Sequence, residues 1–260
     1  MGKKASSKAA ASKASTAAGK APAEEGSGHQ TGDWAKSLIA EKDINELKSQ
    51  GLLDGMEYQI PGDEEIPNPL EGWRVMFLSF LFRGLSLPAH EFLCGLLFVY
   101  GVQLWQLTPN AILHIAVFIT FCECYLGIAP HFGLWKALYQ VRSNSKSDGS
   151  PIYTIGGCSF AIRGGRKSLG YVKNSGQDSV IGWRSKWFYV KDELVDGQKF
   201  NLAPFVDRKP VPLGSWSNDL TKEEKSEVKK LLPSLKEAVG HLSKDYGFTR
   251  LISVFMKRRI

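Results

Sequence analysis

The sequence predicts an α+β fold, mainly α, with a compact helical core, a β-containing extension and C-terminal helices. Three observations predict it. An almost uncharged block, residues 84–142, is divided by Pro88, Pro109 and Pro130, and two of its segments stop at Gly101 and Gly127. Proline suits the first helical position, where its missing N–H has no partner, and glycine suits the residue just past a helix end. Beyond residue 143 come short β-branched and aromatic runs bounded by Gly, Ser and Asp, at 152–162, 169–173 and 187–191. Helix signals return at Thr221-x-x-Glu224 and Ser234-x-x-Glu237, two capping boxes.

Residues 1–33 are rich in Ala, Ser and Lys and, Met1 apart, hold no large apolar side chain. They cannot bury enough surface to offset the entropy of ordering, so a disordered tail is expected. The tail has no apolar stretch of a secretory signal, which points to an intracellular protein, in the nucleus or cytoplasm, with free thiols at its four cysteines. Met1-Gly2-Lys3-Lys4-Ala5-Ser6 fits a short myristoylation pattern at Gly2, one of a kind that matches often by chance.

Residues 34–70 carry a short helix over 34–52, with Ile39, Ile44, Leu47 and Leu52 on one face, then an acidic linker with Pro61, Pro67 and Pro69. Residues 71–142 form the helical core. Within it 73–82 is a strand or the start of a helix, which periodicity alone does not separate. Pro109 follows the natural N-cap Thr108, and the helix it opens is apolar on every side, as at the centre of a domain or in a membrane. Residues 111–128 are barely long enough to span, and Glu123 inside them would cost about 2.5 to 3.5 kcal/mol on insertion. A buried central helix is therefore expected. Glu123 should then pair with Arg83 or Lys136, or accept backbone N–H groups, and a buried His114 should be hydrogen-bonded.

Residues 143–220 read as short strands and irregular loops, and 221–260 as basic C-terminal helices, the last after Thr249. Charge separates along this order. Residues 34–70 hold 8 acids against 3 bases, whereas 143–220 hold 11 bases against 7 acids and 221–260 hold 10 against 5. The net charge of +7 favours nucleic acid or an anionic surface as partner.

Motifs of chemistry are sparse. Cys122-x-Cys124 near His114 and His131 has the wrong spacing for zinc, because residues two apart on a helix point about 200° apart. His90 and Glu91 form an acid/base pair without a nucleophile or orienting partner. Phosphate-loop, dinucleotide and nucleophile-elbow motifs are missing. No cofactor, metal or small-molecule substrate is implied. The stretch Arg163, Arg166, Lys167 and Lys173 with Arg184 and Lys186 among Trp183, Trp187, Phe188 and Tyr189 could clamp a single strand. Equally, its aromatics could face a core while the bases stay solvated. Lys257, Arg258 and Arg259 could touch phosphates or cap a helix.

Gly84-Leu85-Ser86-Leu87-Pro88, Phe92 through Gly101, Leu107-Thr108-Pro109-Asn110, Cys122-Glu123 and Pro130-His131-Phe132-Gly133-Leu134-Trp135 together resemble the gypsy-type transposon domain of plant retroelement-derived proteins. A weaker resemblance reaches over 35–260, through Gly156-Gly157 and Gly182-Trp183-Arg184 to Tyr189. The ending Phe255 to Ile260 is similar to a segment that continues in relatives, so a truncated copy is expected. The resemblance implies descent from a transposable element and brings no catalytic residue with it. The expectation is a non-catalytic structural or interaction protein, gag-like, that self-associates or binds RNA or DNA through its basic C-terminal half. Two alternatives stand beside it: membrane association through Gly2 or the apolar block, and an enzyme acting through His90, His114 or Glu123.

Overall fold

A computed structural model describes residues 34–144, 155–163, 180–207, 209, 216–217 and 219–245. The first described residues, 34–40, form an extended arm and not helix, contrary to the sequence expectation. The arm is held by the chain near residue 187. Leu38 N donates to Ser185 O (2.6 Å), and Trp187 Nε1 donates to Ala35 O (2.9 Å). Helix α1, Glu41–Ser49, follows, with Asp43 accepting the Ala40 N–H at 2.8 Å and Ile44 and Leu47 buried.

The acidic stretch read as a linker contains a strand, β1, Met56–Gln59, whose side chains alternate between half-buried and exposed. Residues 73–82 are both of the things expected of them in turn: strand β2, Trp73–Phe77, runs straight into helix α2, Leu78–Phe82. Helix α3, Glu91–Tyr100, is capped by His90 and stops at Gly101, whose φ of 63° is the left-handed conformation that favours glycine. A 3-10 turn, Leu104–Gln106, leads to Thr108, which accepts the Ala111 N–H at 3.1 Å, and to α4, Pro109–Thr120. Pro109 alone of the three prolines occupies a first helical turn. Pro88 and Pro130 lie just outside the caps His90 and His131.

α4 is buried along its whole length apart from half-buried Asn110. It continues as a π-helical segment, Phe121–Leu126, and ends at Gly127. Pro109–Leu126 is long and apolar enough to cross a membrane, but protein covers 72% of it. Helix α5, Phe132–Leu138, then passes directly into β3, Tyr139–Ser143, where the sequence suggested the end of a helix. β4, Cys158–Ile162, pairs antiparallel with β3. A 3-10 turn, Trp183–Ser185, precedes β5, Trp187–Leu194. The last described element is α6, Lys222–Asp245.

α6 begins at the first expected capping box but does not restart at the second, because it runs through Pro233. The lost N–H of Pro233 would have bonded the carbonyl of Lys229. Both residues are exposed. The helix expected after Thr249 lies outside the described residues.

β5 is the centre of a three-stranded antiparallel sheet, β1-β5-β2. Its inner face and α2 hold one aromatic cluster, in which Trp34 stacks on Phe77 at 5.9 Å and Phe77 meets Trp183 at 4.9 Å. A second cluster joins α3, α4, α5 and β4, with Trp135 stacked on Tyr139 at 4.2 Å and edge-on to Phe160 and Phe118. About 40% of the described structure is helical and 17% strand, so the class is mixed α+β rather than clearly mainly α. The difference comes from β1 and β3, two strands in text that looked like linker and helix end.

Candidate nucleic-acid interface

Of the basic residues singled out among the aromatics, Arg163, Arg184 and Lys186 are described, and all three are occupied within the protein. Arg163 Nε donates to Tyr139 O at 3.1 Å. Arg184 Nε donates to Ile155 O at 3.1 Å while its guanidinium lies 5.3 Å from the Trp183 ring centre. Burial lowers the Arg184 pKa. Lys186 Nζ donates to Leu38 O (2.6 Å) and pairs with Asp43 (2.8 Å), which ties the arm and α1 to β5. Trp183, Trp187, Phe188 and Tyr189 are all buried. These aromatics therefore build the core, and Arg163, Arg184 and Lys186 each brace a backbone carbonyl. Arg166, Lys167, Lys173, Lys257, Arg258, Arg259 and Gly2 lie outside the described residues.

A different set of bases is available, on the first turns of α6. The azimuth of this helix is set by its docking. Thr221 and Glu224 close a capping box, with Thr221 N to Glu224 Oε2 at 2.8 Å and Glu224 N to Thr221 Oγ1 at 3.2 Å. Glu224 pairs with Lys136 of α5 at 2.7 Å, and Glu227 pairs with His131 at 2.9 Å. Val228 is buried, and a Cβ on Gly133 would stand 3.2 Å from that of Glu224, so α5 and α6 meet closely. Burial acts to raise the Glu224 pKa, but the Lys136 ammonium and the Thr221 N–H outweigh it and hold the carboxyl below its ordinary value.

With Glu224 and Val228 turned to α5, a 3.6-residue period turns Lys222, Lys225 and Lys229 to one outer face. All three are exposed, as is Lys230. None of the four has an ion pair or side-chain hydrogen bond among the described residues. Two of the three nearby acids, Glu224 and Glu227, are engaged by Lys136 and His131, which leaves Glu223 as the acid beside four lysines. The charge excess at 221–260 was legible in the sequence, but its facing was not, because that depends on which side of α6 is docked.

The other candidate residues are placed differently from expectation. Glu123 pairs with neither Arg83 nor Lys136. It is exposed and meets His90, Nε2 to Oε1 at 2.9 Å. The π turns from Phe121 onward carry Glu123 out of the buried register of α4. His90 Nδ1 accepts the Phe92 N–H at 3.0 Å, so Nε2 carries the proton donated to Glu123. Ser86 lines the same small cavity, of about 70 Å³, but both imidazole nitrogens are engaged and none is left to activate it. His114 is buried and bonds Phe160 O through Nδ1 at 3.1 Å. Its burial lowers the pKa to about 4 against the smaller opposing effect of that hydrogen bond. Cys122 is buried and its thiol is pushed up to about 12 by burial, while Cys124 is half-buried. Among the described residues no group of three or more His, Cys, Asp or Glu could hold a metal ion.

Comparison with known proteins gives one finding. Residues 75–143, from β2 to the end of β3, match the family model described as "Putative gypsy type transposon". No curated protein and no solved structure matches the chain. The matched segment contains α3, α4, the π-helical segment and α5, and α6 docks on the last two.

Proposed function

We propose, from the premise that residues 75–143 are a gypsy-type transposon domain, that this chain is a non-catalytic, element-derived interaction protein that binds RNA or DNA through the outer face of α6. Its role is gag-like: it holds nucleic acid without transforming it. The observation that carries this reading is the row of exposed lysines at 222, 225 and 229, which have no ion pair among the described residues, on a helix whose acids Glu224 and Glu227 are engaged by Lys136 and His131. Ammonium groups on one face neutralise successive phosphates and release their condensed counterions, which makes binding sequence-tolerant and salt-dependent. The basic text at 236–260 continues the same charge. The engagement of both His90 nitrogens supports the non-catalytic part of the reading.

The test is a binding titration with single-stranded RNA and duplex DNA between about 50 and about 200 mM salt. The triple variant Lys222→Ala, Lys225→Ala, Lys229→Ala should bind RNA more weakly, and the slope of log affinity against log salt should fall by about 2, near 0.7 per lost contact. Absence of binding at the lowest salt, or an unchanged slope in the variant, overturns the proposal. The substitutions lie on an exposed face and Ala favours helix, so the fold is preserved.

A further inference from the structure

We infer that α3 is a self-association surface that pairs antiparallel with α3 of a second copy of this chain. The inward residues of α3 are Leu93, Leu96 and Tyr100. Its outer stripe is Glu91, Gly95 and Phe98, spaced i, i+4, i+7, with Val99 beside it. Phe98 is 87% exposed and Val99 54%. Phe98 and Val99 are the large apolar side chains that this face offers to a partner.

Three features make the stripe complementary to itself. Phe98 is a projecting ring. Gly95 is a notch: nothing among the described residues lies within 4 Å of the position its Cβ would take. The two are three residues apart, so an antiparallel two-fold centred between residues 96 and 97 lays each Phe98 over the other copy's Gly95. In a two-fold contact every pairing occurs twice, which doubles the effect of one knob and one notch. Small residues also let helices approach closely, as Gly95 does here.

Charge selects a second copy over an arbitrary apolar partner. The N-terminal end of α3 carries Glu91, exposed and without an ion pair among the described residues. At the other end, Lys209 lines the groove formed with Gly101, Val102 and Leu104. The same two-fold sets residue 91 of one copy opposite residue 102 of the other. Each Glu91 therefore faces the Lys209 end of its mate, at both rims of the contact.

The inference is independent of the nucleic-acid reading, and its test uses nuclease-treated full-length protein. Sedimentation or light scattering over micromolar concentrations should give a mass approaching twice 28.8 kDa. Phe98→Asp and, separately, Gly95→Leu should each raise the dimer dissociation constant by about thirtyfold or more, as loss of a central anchor does. Gly95→Leu improves helix propensity, so unchanged helical circular dichroism with loss of the dimer separates docking from folding. Glu91→Lys should weaken the dimer, and the pair Glu91→Lys with Lys209→Glu should restore it. A monomer at every concentration, or a dimer indifferent to both Phe98→Asp and Gly95→Leu, overturns the inference and leaves RNA binding by α6 untouched.

Discussion

His114 shows how one side chain sets a pH dependence. It is buried in α4 with a pKa lowered to about 4, against an ordinary value of 6.5. The unfolded chain therefore binds a proton between these values that the folded chain refuses, and stability rises with pH across that window. The contribution is complete above about pH 6.5 and is lost as pH falls toward 4, by about 3 kcal/mol in all. Melting temperature should fall between pH 7 and pH 5, and His114→Gln should flatten that dependence. A need for hydrogen bonding at His114 was legible in the sequence, from an ionisable residue in an apolar helix. The partner of Glu123 was not, because a run of α-periodic text does not announce where one turn will open to i→i+5. The caps Thr108 and Thr221 and the stops Gly101 and Gly127 were legible, since each depends on a local backbone requirement.

α6 is an element held at its start by polar contacts and at Val228 by burial. Thr221→Ala should cost about 0.5–2 kcal/mol through loss of the cap, read as a lower midpoint in urea. Glu224 joins the cap to Lys136, and its pKa lies below the ordinary 4.5. Its stabilising effect is thus present above about pH 4.5 and disappears as the carboxyl is protonated below that value. Glu224→Gln should remove this acid-sensitive step and loosen α6 from α5 at neutral pH. The same docking decides which lysines face solvent, so both variants bear on nucleic-acid binding as well. At this scale the helices were easier to read than the strands. Met56–Gln59 and Tyr139–Ser143 alternate inward and outward, but over so few residues that neighbouring acidic and helical text masked them.

Across the whole molecule the arm at 34–40 closes one aromatic cluster. Trp34 touches Phe77, Trp105, Trp187 and Phe205, with ring centres between 5.6 and 6.0 Å apart. Trp34→Ala should cost about 2–3 kcal/mol, below the roughly 3–5 of a fully buried tryptophan, and should lower the melting temperature without loss of helix. The pairing of β1 and β2 with β5 was the least legible feature of the fold. Local periodicity carries no information on which distant strand completes a sheet. The resemblance to a gypsy-type transposon domain was legible because it rests on contiguous text, and the family match covers that same block.

The strand order β1-β5-β2 has a consequence for how the chain is made. Arg74 on β2 and its partner Asp192 on β5 are 118 residues apart in the chain, and β5 is the strand both others need. On the ribosome, β1 and β2 emerge long before their common neighbour. Met76 and Phe77 then wait with their apolar side chains uncovered until translation passes Leu194. An mRNA that stops earlier yields the matched block without its sheet, a product for chaperones and proteases to clear. A reading frame that preserves only residues 75–143 thus keeps the family signature and loses the fold.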